Sequence, residues 1–162
     1  MIFKSNLTQK EIDQLVGLLK KVHIPAPLPI FKALCKVLPI AAVDIAYMSD
    51  DDHILLTHRK DEWYDHWHIP GSILWYKETP EHALKRVAKK ELGVTITKKM
   101  KVIPVGFANE FTVREQSILL LHKVVSKTKP KEGKFFHLDK LPKDFLAEQM
   151  PEIQMLRVLR EK

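Results

Sequence analysis

The chain has 162 residues, 45% of them hydrophobic and 29% charged, with 27 Lys and Arg against 20 Asp and Glu. That length suits one domain with a sizeable core, and no apolar run approaches the ~18 residues of a membrane span, so no membrane partner is expected. The net charge of +7 favours an anionic partner, a phosphorylated small molecule or a nucleic acid, against the plainer reading of a solvated basic surface.

No basic run is interleaved with aromatic residues as single-strand binding requires, which argues against nucleic acid. The start, MIFKSNLTQKEIDQ, turns polar at once and does not read as a secretory signal. The lone Cys35 excludes an intramolecular disulfide and reads as the reduced, buried thiol of a cytoplasmic protein.

Thr8-Gln9-Lys10-Glu11 has capping-box form, and Ile12, Leu15, Val16, Leu19 and Val22 then recur at helical spacing. Pro25, Pro27 and Pro29 end that helix, and a short second helix is predicted over Ile30 to Val37. Residues 1–38 read as a helical appendage to a domain over 39–162, with a homodimerisation arm as the alternative. From Pro39 the period becomes strand-like: 40–48 (IAAVDIAYM) and 53–59 (HILLTHR) flank the turn SDDD and form a predicted hairpin. Asp44 shares the apolar face of Ile40, Ala42, Ala46 and Met48. A carboxylate there is costly unless paired, hydrogen-bonded or bound to metal.

Thr79 is a good N-cap, Pro80 suits the first helical position and Gly93 a stop, which predicts a helix over Pro80 to Leu92. Leu84, Ala88 and Leu92 line its buried stripe, and Val87, Lys90 and Glu91 share a neighbouring face. Carboxylates on that face would converge on a hard cation such as Mg²⁺, but only Glu91 supplies one. Beyond the helix, KVIPVGFANEF, QSILLLHKVVS and GKFFHL read as strands. Leu141 to Gln149 and Pro151 to Arg160 read as closing helices. The class is α+β with a mixed sheet.

The stretch from Pro70 to Val94 resembles a Nudix box, G-x5-E-x7-R-E-U-x-E-E-x-G-U with U aliphatic. Glu78, Arg86, Glu91, Gly93 and Val94 fall on the pattern, Ala88 takes the aliphatic slot, and Pro70-Gly71-Ser72 matches the usual Pro-Gly-Gly. The likeness extends over roughly Pro39 to Arg160. It implies an α/β/α sandwich, to which the N-terminal helical segment, outside the likeness, is added. It also implies Mg²⁺ (or Mn²⁺) and hydrolysis of a small-molecule nucleoside diphosphate derivative, with Glu78 and Arg86 as a structural pair.

Two of the pattern's glutamates are Val87 and Lys90, and in this the chain is similar to the GDP-mannose mannosyl hydrolase branch, which points to a nucleotide sugar. In that branch the metal is held by the last box glutamate, a turn carbonyl and a loop residue. Carried over, this makes Glu91 and the Gly71 carbonyl ligands. Asp44 matches the branch's first-strand aspartate and Arg59 its arginine on the leaving diphosphate. The branch's loop Gln-His pair has no counterpart in KTKPKEGKFFHLDKLP. Glu132 is the nearest candidate for either loop ligand or general base.

Trp67, with Trp63 and Tyr64, is a candidate for stacking on a base, while His66 and His68 are a weak zinc pair. Arg114-Glu115 reads either as pocket rim or as strand cap, and Lys90 either as a phosphate contact or as a lysine reaching solvent. The alternative to an enzyme is a catalytically inactive Nudix-fold nucleotide-binding module; an RNA-processing role prompted by the charge is weaker.

Overall fold

The computed structural model describes residues 6–23 and 25–160. The first five residues, on which the reading of a start without a secretory signal partly rests, lie outside these, as do Ile24 and 161–162.

IAAVDIAYM forms strand β1 (Ile40–Met48) at the centre of a sheet, and from Ala42 onward every residue of it is buried. A strand covered on both faces needs apolar side chains at successive positions, not an alternation. Strands β2 (His53–Lys60), β3 (Asp65–His68), β4 (Gly71–Ile73), β5 (Lys101–Phe111), β6 (Gln116–Val125) and β7 (Lys134–His137) complete a mixed sheet. Its order is β3-β2-β1-β6-β5, with β4 paired to β1 and β7 to β2. β1 and β6 run parallel, with Asp44 opposite Leu121, and the other pairs are antiparallel.

The helices are α1 (Gln9–Leu19), α2 (Leu28–Cys35), α3 (Pro80–Glu91) and α4 (Met150–Arg160). Val43, Ile45 and Tyr47 of β1 pack against Ala83, Leu84, Val87 and Ala88 of α3. Ala46 and Met48, on the opposite face, join Ile153 and Leu156 of α4. The result is helix, sheet, helix. Among the described residues no helix is long and apolar enough to cross a membrane.

Three expectations change. The second helix begins at Leu28, because Pro29 tolerates the first turn, where its missing N–H has no partner to lose. Leu141 to Gln149 is not a helix: only a 3₁₀ turn, Ala147–Gln149, forms there. Pro142 disfavours helical backbone at Leu141, and the segment bonds to β3 instead. Trp67 N–H donates to the Asp144 carbonyl (3.0 Å) and Leu146 N–H to that of Trp67 (2.9 Å). Val87 does not share a solvent-facing side with Lys90 and Glu91, for it is 0% exposed within the core.

Candidate active site

The box folds as a strand, a loop and a helix locked by one ion pair. The Thr79 hydroxyl caps α3 by accepting from His82 N–H, and Pro80 fills its first turn. Gly93 ends it at φ +63°, a left-handed conformation in which Val94 N–H reaches back to the Ala88 carbonyl (3.1 Å). Arg86 donates from Nε (2.8 Å) and Nη2 (2.7 Å) to the two Glu78 carboxylate oxygens, and from Nη2 to the Ile73 carbonyl (2.8 Å). The Arg86 hydrogen bond, reinforced by Trp75 N–H, holds the Glu78 carboxyl below its usual range. The pair therefore fastens β4 and the loop to α3.

Gly71 sits where β4 crosses β1 over Asp44. A Cβ there would stand 1.6 Å from Asp44 Oδ1 and 2.8 Å from the Val43 carbonyl, so no side chain fits. The approach puts Gly71 on the floor of a cleft of about 1150 Å³. Glu91, Arg59, Trp67 and Glu132 line the same cleft. Glu132 arrives on a loop fastened twice: Tyr47 Oη donates to the Thr128 carbonyl (2.7 Å), and Lys131 N–H to the Leu92 carbonyl at the end of α3 (2.9 Å). Glu91 and Glu132 are the carboxylates among the described lining residues.

Burial raises the Glu91 carboxyl, opposed by the nearby Lys90, Arg59 and Arg86 charges. Arg59 spends its Nε on Asp61 Oδ2 (2.5 Å) and lies over the Tyr64 ring, while its Nη groups hold no further hydrogen bond among the described residues. Trp67 is wedged edge-on between His58 and Phe136, with the Lys134 ammonium 5.7 Å from its ring centre.

Asp44 is not part of this lining. It is 3% exposed and faces a smaller inner cavity, where Gln149 Nε2 donates to its Oδ2 (2.7 Å). Burial, then Glu110, Glu152 and Glu91, push its carboxyl well above the usual range. Among the described residues no cation pairs with it, so an amide hydrogen bond stands where an ion pair was an expected alternative. The histidine pair is spent structurally at His68: Nδ1–H donates to the Ile69 carbonyl (2.9 Å), leaving Nε2 to accept from Thr57 Oγ1 (3.2 Å). Burial, with Arg59 nearby, lowers its pKa to about 4 and keeps it neutral.

The oxygen donors in the cleft are of the kind that a hard divalent cation takes. Among the described residues no group of three His, Cys, Asp or Glu is arranged to cage a metal. The Glu91 and Glu132 carboxylates and the Gly71 carbonyl offer hard oxygen donors, the set on which Mg²⁺ relies when waters and substrate phosphates complete its shell.

Sequence reasoning passed over several lining residues. Lys131 and Lys134 flank Glu132, and together with Lys90 and Arg114, both of which the sequence offered as pocket contacts, they make the cleft strongly cationic. Arg114 pairs with Glu115 and lines both cavities, which makes it a pocket residue as well as a strand-end one. The N-terminal segment was also missed: Pro25, Ala26, Leu28 and Phe31 line the cleft.

The family model for the NUDIX domain matches residues 38–156. The chain belongs to the Nudix domain family. Solved structures share its fold at low identity. A MutT protein from Methanosarcina mazei Go1 superposes with TM-score 0.65 at 16% identity, over 78% of this chain and 99% of that one. A MutT NUDIX hydrolase from Burkholderia pseudomallei gives 0.63 at 19%, over 73% and 98%. A MutT/nudix family protein from Enterococcus faecalis gives 0.57 at 18%, over 96% and 76%. No curated protein is similar enough to match.

Proposed function

We propose that the chain is a Mg²⁺-dependent (or Mn²⁺-dependent) hydrolase of a nucleoside diphosphate linked to another group, of nucleotide-sugar type and akin to the GDP-mannose mannosyl branch. One observation carries this reading. Glu91, Gly71, Arg59 and Glu132 come from α3, β4, β2 and the loop before β7, yet they line a single cleft behind an intact Glu78–Arg86 lock.

Glu91 and the Gly71 carbonyl would hold the ion, which when bound would supply positive charge to offset that of the departing diphosphate. The free Nη groups of Arg59 grip a phosphate through two charge-assisted hydrogen bonds. Lys90 and Lys131, without ion-pair partners among the described residues, add to the field on that diphosphate. Glu132 takes the proton of the attacking water as its oxygen bonds to the sugar carbon. The carbon–oxygen bond breaks, and its electron pair leaves with the nucleoside diphosphate.

Glu91→Gln tests the assignment: Mg²⁺-dependent turnover drops about 100-fold or more while the melting temperature stays at the wild-type value. Full turnover in that variant refutes the metal assignment. A second reading, a nucleotide-binding module without catalysis, is favoured by Val87, which is wholly buried where the family pattern places a metal-binding glutamate. Nucleotide binding without Mg²⁺ or any product distinguishes it.

A further inference from the structure

Part of the cleft wall lies outside the stretch that the family model matches. Leu28 and Phe31 of α2, with Pro25 and Ala26 before it, line the same space as Glu91 and Arg59. α2 is held against the loop between β2 and β3. Lys32 Nζ donates to Glu62 Oε2 (3.1 Å) and stands 4.8 Å from the Trp63 ring centre. The Arg114 guanidinium lies 5.7 Å from the Phe31 ring centre, 5.6 Å from Trp63 and 5.8 Å from Tyr64.

The cleft lining combines two kinds of chemistry. Lys90 at the end of α3, Lys131 and Lys134 carry charge without an ion-pair partner among the described residues, which suits a diphosphate. Elsewhere on the lining, guanidinium charge is already spent: Arg114 is paired with Glu115 beside Phe31, while Arg86 is paired with Glu78 and lies 4.1 Å from the Trp75 ring centre. Rings held beside a paired guanidinium present flat apolar surface at small entropic cost. Branched aliphatic side chains are few there, Leu28 and Ile73, so the lining matches a planar ring better than a lipid chain. A volume of about 1150 Å³ leaves room for such a ring beside a diphosphate.

We infer that Pro25–Ala26 and α2 form the subsite for the heteroaromatic base of the ligand, with Phe31 and Leu28 setting its affinity. This rests on the phosphorylated-ligand reading of the cleft. The base would then be selected by a segment that the matched family domain does not contain.

Calorimetric titration of the full chain tests this, with ADP, GDP, CDP and UDP as probes and inorganic pyrophosphate as the probe lacking a base. Phe31→Ala weakens the tightest nucleoside diphosphate about tenfold or more, the loss of a base-stacking contact, and leaves pyrophosphate within about twofold. Leu28→Ala, at an exposed position, shifts affinity in the same direction with an unchanged melting temperature, and Leu18→Ala on exposed α1 shifts nothing. Nucleoside diphosphate affinity unchanged in both cleft variants overturns the subsite, as does an equal loss for pyrophosphate. Wild-type binding of pyrophosphate as tight as that of every nucleoside diphosphate overturns the subsite but keeps the phosphate reading. Binding of neither overturns both.

Discussion

Replacing Glu110 with Gln should change how stability depends on pH. Glu110 lies on β5, 7% exposed, facing the inner cavity, and its Oε1 has no hydrogen-bond partner among the described residues. Burial, then the neighbouring Glu152, Glu115 and Glu148, push its pKa from 4.5 up to about 8, with Arg114 opposing. The folded chain therefore holds a proton that the unfolded chain releases near pH 4.5. Its contribution is fully present below that pH, falls away as pH rises through about 8, and is flat above.

A displacement from 4.5 to about 8 corresponds to at most about 5 kcal/mol at ~1.4 kcal/mol per tenfold. Relaxation and water entry reduce what such a site costs when charged. An effect on the order of 2–3 kcal/mol is expected. Urea unfolding followed by circular dichroism from pH 5 to pH 9 reads it. Glu110→Gln should match the wild type near pH 5 and exceed it near pH 9. Asp44, Glu91 and Glu152, whose carboxyls burial also raises, leave a residual slope in the variant. A constant difference between the two proteins across that range would mean that Glu110 is ionised or hydrated throughout, and would refute the reasoning.

Two further perturbations address the box. Arg86→Ala leaves the Glu78 carboxylate without its bidentate partner in a mostly buried setting, and should lower unfolding free energy in urea by about 3 kcal/mol; a loss under 1 kcal/mol would show the lock to be superficial. Val87→Glu and Lys90→Glu both restore a carboxylate of the family pattern, but only the second is accommodated, because position 87 is enclosed by the core and position 90 is exposed. Val87→Glu should give little soluble, cooperatively melting protein. Lys90→Glu should fold normally and bind Mg²⁺ more tightly by calorimetry, and an unchanged Mg²⁺ affinity would place Lys90 away from the ion.

Much of the box was legible in the residues because its signals are local. Thr79, Pro80 and Gly93 mark where α3 begins and ends, whatever packs against it. The burial of Val87 was not legible, because a helix face is assigned as core or cleft only by the sheet beneath it. Asp44 misled in a related way: alternation placed it on an apolar face, but both faces of β1 are covered, and its partner is Gln149, distant in sequence. The segment at 141–149 had enough apolar spacing for a helix, yet Pro142 and the free edge of β3 at Trp67 drew its backbone into intersegment bonds. The cleft-facing role of α2 was invisible for the plainest reason, that it depends on a contact between segments distant in sequence.

The most direct test of the hydrolase reading is a product analysis. The purified chain is incubated with nucleotide sugars and dinucleotides, with and without Mg²⁺, and the products are identified by mass and phosphorus NMR. Mg²⁺-dependent release of free sugar together with an intact nucleoside diphosphate is the predicted result. Release of nucleoside monophosphate would contradict the assigned bond, and no product from any substrate, with nucleotide still bound, would contradict catalysis itself.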